Sequence, residues 1–309
     1  MINAVRVLCA LALAALFAAS GAGAAETHAP APVLATIKAH PALWVVRSDT
    51  ATLYLFGSIH LLPPNIDWHS PAIDAALKDS DVFVFEAPLG EEGLRETQAF
   101  VQANGMLPPD KALPSELDPQ ARRDYDSAIA ASRLPAESVA HLRPWLAAIV
   151  LETRMMESLH YSPDSGVDRQ VYKFAKSENR KIESLETVSE QLSLLMPKNR
   201  KLEAEEFDAS LKEVKTDHNE IGTLVDAWCD GRTDEVARLT NAGLAGTPGA
   251  MKLLITDRNA RWADKIAGML AQHHTYFVTV GAGHLAGPEG LPGLLARRGF
   301  RVTLLTTHH

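Results

Sequence analysis

Twice in this chain an apolar run, rich in β-branched and aromatic residues, breaks into a G-x-x-H-L element. LYLF at residues 53–56 leads into Gly57, Ser58, Ile59, His60 and Leu61, and YFVTV at residues 276–280 leads into Gly281, Ala282, Gly283, His284 and Leu285. Neither run has helical spacing, so each reads as a buried strand. The glycines permit tight turns and close approach of another group, so each histidine is held by backbone geometry at a strand end. After each histidine the pattern runs through a helix to another strand. That is a weak internal duplication of element order, with little identity beyond G-x-x-H-L.

Between these units the chain supplies more strands and many helices. Residues 42–60 form a hairpin around the polar turn 48–50, and Ser70 followed by Pro71 caps a helix to about Lys78. VFVF at residues 82–85 is an unbroken apolar strand ending at Glu86, and KIESL at residues 181–185 is a shorter one ending at Glu186. Thr187 with Glu190 makes a capping box that opens a helix over 188–196. Residues 90–159 and 198–240 read as helical, with apolar stripes that serve packing and charged faces that serve solvation. A long helix over 251–272 puts Leu254, Ile255, Trp262, Ile266 and Met269 on one face and Asp257, Arg261 and Asp264 opposite. Arg258 and Asn259 fall at the two edges of that apolar face. A last helix and strand are expected near 291–298 and 301–305. The pattern predicts an α/β fold: a central mixed, largely parallel β-sheet flanked by helices, with a large helical insertion.

The first 25 residues stand apart. One early arginine, an apolar stretch over 7–19 and small residues up to Ala25 predict a cleaved secretory signal, and a Pro- and Ala-rich segment to residue 40 predicts a flexible leader. One domain over 41–309 comes next, its α/β core near 41–90, 165–195 and 250–309 and its helical insertions near 91–164 and 196–249. This predicts a periplasmic or secreted protein with no stable membrane insertion once the signal is removed. Loss of Arg6 with the signal leaves 29 of the 30 basic residues against 38 acidic ones, a net charge of −9. Nucleic acid is a poor partner for such a surface. Cys9 lies in the signal, so Cys229 is left without a disulfide partner and reads as a small buried apolar residue.

In open α/β sheets ligands sit beyond the carboxyl ends of the strands. Four expected strands end in a chemically capable group: His60, Glu86, Glu186 and His284. Two neutral imidazoles with one or two carboxylates suit a divalent transition metal and leave a position for water. A spare carboxylate can take a proton from that water, and Arg258 can stabilise the developing oxyanion. Plainer readings stand beside this one. A lone histidine in a turn is usually a capping or hydrogen-bonding residue, Glu86 and Glu186 can cap helices, and Arg258 can be a structural ion-pair partner of Glu86. Asn259 can be a satisfied polar group at the core edge. Gly281, Gly283 and Gly287 approximate a phosphate-cradling loop, but the spacing departs from the usual fingerprint and too little chain remains beyond it. Neither G-x-S-x-G nor HExxH occurs.

FGSIHLLP, VFVFEAP, GVDRQVYKFAKSENRKIESLETVSEQL, DRNARWADKI and VGAGHLAGPEGLPGLLARRGFRV, in that order, make the mature chain resemble the TraB/GumN family, related to the TIKI-type metalloproteases. The resemblance implies an α/β core like those of the erythromycin-esterase and ChaN-like folds. For the TIKI branch it implies a divalent-metal peptidase, with manganese or cobalt as metal. By it, His60 and His284 are the two motif histidines, Glu86 the acid after the second core strand, and Arg258 and Asn259 the R-N pair; Asp168 and Glu186 match recurrent positions. The combined expectation is an exported metal-dependent hydrolase acting on a peptide or other small polar substrate. His60, Glu86 and His284 would hold Mn, Co or Zn, with Glu86, Arg258 and Asn259 as catalytic residues and Glu186 and Asp168 as further candidates. The alternatives are a non-catalytic periplasmic binding protein for haem or a peptide, and a metal-free His/Glu hydrolase.

Overall fold

The computed structural model describes residues 35–213, 219–247 and 249–305. The signal segment, Pro248 and the terminal pair His308 and His309 lie outside the described residues. The strands are β1 (Ile37–Lys38), β2 (Leu43–Arg47), β3 (Thr52–Ser58), β4 (Ile66–Asp67), β5 (Val82–Phe85), β6 (Lys181–Ser184), β7 (Thr275–Gly281) and β8 (Arg301–Leu305). The helices are α1 (Pro71–Asp79), α2 (Gly90–Asn104), α3 (Leu113–Glu116), α4 (Pro119–Ser132), α5 (Glu137–Ala140), α6 (Pro144–Ser158), α7 (Val167–Ser177), α8 (Val188–Ser193), α9 (Arg200–Glu213), α10 (Asn219–Cys229), α11 (Thr233–Leu244), α12 (Asp257–Met269) and α13 (Leu291–Arg297).

Six strands make one sheet in the order β6-β5-β7-β3-β2-β8, while β1 and β4 form a separate parallel pair. The neighbours β6, β5, β7 and β3 all run parallel, and β2 is antiparallel to both β3 and β8. The fold is therefore α/β with a mixed, largely parallel sheet between helices. Parallel strands covered on both faces need apolar residues at every position, which VFVF in β5 supplies. Phe83 faces a cluster with Phe56, Phe277, Val171 of α7 and Trp228 of α10. Val82 and Val84 face the other side, where Trp262 and Ile266 of α12 and Leu295 of α13 pack with Leu55 and Val278. A third cluster, built on Tyr125, Trp145, Leu146, Val188 and Phe207, holds the helical lobe of α4, α6, α8 and α9 together. No described helix is long and apolar enough to cross a membrane.

Two local expectations are corrected. The described end of the leader does not stay loose, because Ile37 N donates to Asn65 O at 2.8 Å and Ala39 N to Asp67 O at 2.9 Å, which draws it into β1 beside β4. The expected helix over 251–272 is not uniform either: a π-turn at Lys252–Thr256 precedes α12. A π-turn adds a residue to the helical register and rotates the residues beyond it. It shifts Leu254 and Ile255 relative to α12, while Arg258 and Asn259, one turn before Trp262, lie inside the core rather than at the edge of the apolar face, at 1% and 0% exposure.

Candidate functional site

The carboxyl ends of the four adjacent parallel strands carry, across the sheet, Glu186 after β6, Glu86 after β5, His284 after β7 and His60 after β3. The backbone continues the ladder beyond the strands, since Glu186 N donates to Glu86 O at 2.8 Å. Strand order thus brings together four groups that are far apart in sequence, on the rim where open α/β sheets bind ligands.

Arg258 is the hub. Its Nη2 donates to Glu86 Oε2 and Glu186 Oε1, both at 2.6 Å, and its Nε to Glu186 Oε2 at 3.2 Å. Its Nη1 donates to Leu254 O at 3.2 Å and to His284 Nε2 at 3.0 Å. All five guanidinium N–H groups therefore meet an acceptor, and the plane lies over the Trp262 ring, 4.4 Å from its centroid. Glu86 is further held by Gln191 Nε2 at 2.9 Å and by Gly281 N at 2.7 Å. Glycine at 281 eases this contact, because a Cβ there would stand 3.3 Å from Glu86 Oε1, closer than carbon and oxygen usually pack. Of the glycines in this turn, Gly281 faces the Glu86 carboxylate, while Gly283 packs on Thr240 and Gly287 on Ala237.

His284 is buried and its tautomer is set by its neighbours. Asn259 Nδ2 donates to the carbonyls of His284 at 3.1 Å and Glu289 at 2.8 Å. Asn259 Oδ1, 2.7 Å from His284 Nδ1, is then an acceptor, so Nδ1 carries the proton and Nε2 is a lone pair. In this arrangement that lone pair receives Arg258.

His60 sits differently. Its Nδ1 lies 2.9 Å from Asp168 Oδ1 and donates to that carboxylate, so in the neutral ring Nε2 is the lone pair, here without a hydrogen-bond partner among the described residues. Gly166 makes this pairing possible. A Cβ at 166 would collide with the His60 carbonyl. Without one, the first turn of α7 presses against the turn, Val167 N reaches Ile59 O at 3.0 Å, and Asp168 arrives beside the imidazole. His60, Asp168 and Glu86 line one cavity of about 540 Å³, walled by Phe85, Leu89 and Tyr172. A second cavity of about 30 Å³, next to His284, shares Ser58 and Glu86 with the first.

The electrostatics reflect burial set against pairing. For Glu86 burial alone would raise the pKa, but the Arg258 guanidinium and the Gly281 N–H outweigh it and hold the carboxyl at about 2. Burial, reinforced by Arg258, lowers His284 to about 3, which matches its neutral tautomer. Burial pushes Glu186 up, with Arg258 opposing. Burial would lower His60, but the charge and hydrogen bond of Asp168 carry it above its ordinary value. With both glutamates ionised, two carboxylates face one guanidinium, and the hub carries one surplus negative charge.

All the residues singled out in the sequence lie in this region. Asp168, whose part the sequence left open, orients His60. Glu186 does not cap a helix: Thr187 and Glu190 do that as the capping box, and Glu186 serves Arg258. Three residues escaped the sequence reading. Gln191 lies one residue beyond the capping box and reaches Glu86; Ser58, inside the first G-x-x-H, and Thr279, in β7, both line the larger cavity. Only Ser58 carried a signal, its place in the motif.

The donor chemistry fits a divalent ion: two imidazoles with Nδ1 fixed by an oxygen and Nε2 deprotonated, beside an ionised carboxylate. Among the described residues, however, no three His, Cys, Asp or Glu side chains are gathered as a metal site. Arg258 itself bridges Glu86, Glu186 and His284.

Known proteins place the chain among relatives rather than beside a solved structure. It is 23% identical over 273 residues to an uncharacterized protein of Treponema pallidum (strain Nichols), covering 82% of this chain and 80% of that one. It is 24% identical over 258 residues to the uncharacterized protein YbaP of Escherichia coli (strain K12), covering 82% of this chain and 92% of YbaP. YbaP of Shigella flexneri matches to the same extent. No solved structure matches. The model of the TraB/PrgY/gumN family matches residues 42–304, and the chain belongs to that family.

Proposed function

We propose that this chain is an exported hydrolase that cleaves a peptide or other small polar substrate in the cavity beside His60, and that it works with a divalent ion, Mn, Co or Zn, held by His60, Glu86 and His284. One observation supports the reading: both motif histidines have Nδ1 pinned by an oxygen acceptor, Asp168 for one and Asn259 for the other, which leaves Nε2 as the ligating atom of each neutral ring, and His284 Nε2 lies 3.8 Å from the ionised Glu86. That orientation by outer partners is what metal-ligating histidines require. When bound, the ion would supply an acidified water and a Lewis acid.

The chain's own groups supply the rest. Asp168 keeps the His60 proton on Nδ1. Asn259 does the same for His284. Glu86 stays ionised in a buried site because Arg258 and Gly281 stabilise its charge, which is the state a ligating carboxylate needs. Arg258 is the cation available to a developing oxyanion. His284 has a single free lone pair, so it cannot serve Arg258 and an ion together. Occupancy by an ion therefore requires the Arg258 Nη1 bond to be given up.

A second reading is favoured by that same bond. If Arg258 keeps its place, His60 with Asp168 is an imidazole–carboxylate pair at a cavity wall, suited to activating water as a general base without a metal. Peptide hydrolysis measured after chelation and after return of Mn, Co or Zn separates the two. Loss on chelation with recovery on return supports the metal reading; activity that survives chelation and falls with His60→Ala supports the pair. A protein that binds peptides or haem with no turnover under either condition is a binding protein, and both hydrolytic readings then fail.

A further inference from the structure

The floor of the larger cavity holds two hydroxyls that the proposed mechanism does not use. Ser58 at the end of β3 and Thr279 in β7 are each 1% exposed, both line the cavity with His60 and Glu86, and neither hydroxyl oxygen has a hydrogen-bond partner among the described residues. The register explains why they share a wall. Thr279 pairs with Phe56 on one side and Phe85 on the other, and Ser58 pairs with Gly281. Residues two apart on a strand share a face, as do partners in register, so Ser58 and Thr279 point to the same side of the sheet as Phe56 and Phe85.

That face is otherwise aromatic, with Phe56, Phe83 and Phe277 at the neighbouring positions. A hydroxyl left unpartnered among such residues keeps its desolvation penalty uncompensated, and Ala and Val would fill the same space without that cost. Two such costs, side by side, at the cavity that also receives His60, point to a bound group that offsets them. The group has to accept or donate hydrogen bonds at the floor while the remainder lies against Phe85, Leu89 and Tyr172. The hydroxyl pair itself carries no charge, so what it selects is a hydrogen-bonding group rather than an ion.

We infer that Ser58 and Thr279 form a subsite for the neutral amide or ester carbonyl of an acyl or peptide substrate whose adjoining apolar group packs on Phe85, Leu89 and Tyr172. Resting on the hydrolase reading, the inference places the substrate's polar backbone on the sheet and its side chain toward α7.

The test compares the wild type with Ser58→Ala/Thr279→Val, in which each hydroxyl is replaced by an apolar group of near-equal or smaller size. The probe is a mixture of N-acetyl dipeptide amides carrying Ala, Leu or Phe at each position, with affinity read by saturation-transfer NMR and melting temperature read in the absence of probe. The expected result is binding by the wild type that prefers Leu or Phe, at least tenfold weaker binding by the double variant, and a melting temperature equal to or above the wild type's. Thr279→Ser in place of Thr279→Val keeps the hydroxyl and restores binding. Unchanged affinity in the double variant, no binding of any probe by the wild type, or a melting temperature lowered by several degrees would each overturn the subsite, the last by showing that the hydroxyls serve the fold. Binding without cleavage would count against the hydrolase reading and leave the subsite standing. Cleavage with unchanged affinity in the double variant would do the reverse.

Discussion

The two G-x-x-H units begin alike in sequence and lie side by side in the sheet, yet their histidines inhabit different surroundings. His60 is paired with a carboxylate, borders a cavity, and keeps its Nε2 open. His284 is paired with an amide, is sealed at 3% exposure between Trp262 and Arg258, and has its Nε2 engaged. The backbone motif fixes where a histidine stands at a strand end. What it can do is fixed by the residue that meets Nδ1 and by what meets Nε2, and those partners come from α7 in one case and α12 in the other. A carboxylate partner raises basicity; an amide partner orients without adding charge.

The contrast is tested most severely at Arg258, which hydrogen-bonds His284 and reaches His60 only through its charge. Arg258→Met should leave Glu86 and Glu186 buried and unpaired, at a cost of about 3–5 kcal/mol, seen as an early urea midpoint. If stability hardly changes, the guanidinium is not the hub. The histidines should then separate from each other. His284→Ala strands Asn259 Oδ1 and a guanidinium N–H and should cost about 1–3 kcal/mol, whereas His60→Ala opens into an accessible cavity and should cost about 1 kcal/mol or less. Both should lose hydrolysis by roughly a hundredfold or more. Equal stability losses would erase the distinction between the two units.

Smaller is the effect expected at the partner of His60. Asp168→Asn keeps the shape but removes the charge, and should weaken metal affinity or activity about 10–100-fold with little change in stability. The pH dependence of stability supplies the finest contrast. His284 is held at about 3 against an ordinary 6.5, and Glu86 at about 2 against 4.5. Both values are lowered by folding, so the unfolded chain binds more protons on acidification. Their contributions are fully present above the unfolded values and are lost as pH falls, through His284 first and then also through Glu86. His60 has the opposite sign: its value is raised, so its contribution is present below its unfolded value and is lost as pH rises through the folded one. Urea midpoints of metal-free protein between pH 8 and pH 4 should therefore fall toward acid. His284→Ala should remove the upper part of that fall, and His60→Ala should leave it in place.

Much of the scaffold is legible in the sequence because local chemistry determines it. VFVF, the paired strands around Ser48–Thr50, the Ser70 cap and the Thr187–Glu190 capping box each state their structure within a few residues, and each forms as expected. The convergence of His60, Glu86, Glu186 and His284 needs one further assumption, that their strands run parallel. Side-chain partners are harder to read. The helical wheel puts Arg258 and Asn259 at the edge of the apolar face, whereas both are buried, and nothing in MKLLITDRN signals the π-turn that precedes them. The Asp168 contact depends on Gly166 letting α7 touch the His60 carbonyl, a close approach between segments more than a hundred residues apart. Ser58 and Thr279 look like ordinary strand residues until the sheet register puts them together.

The metal centre itself is probed by calorimetric titration of the metal-free protein with Mn, Co and Zn, in the wild type, His60→Ala and His284→Ala. The expected result is about one ion per chain for the wild type with at least one of the three metals, and binding at least a hundredfold weaker in each variant. Absence of binding across all three metals, or binding indifferent to both substitutions, would contradict the assignment of His60 and His284 as ligands.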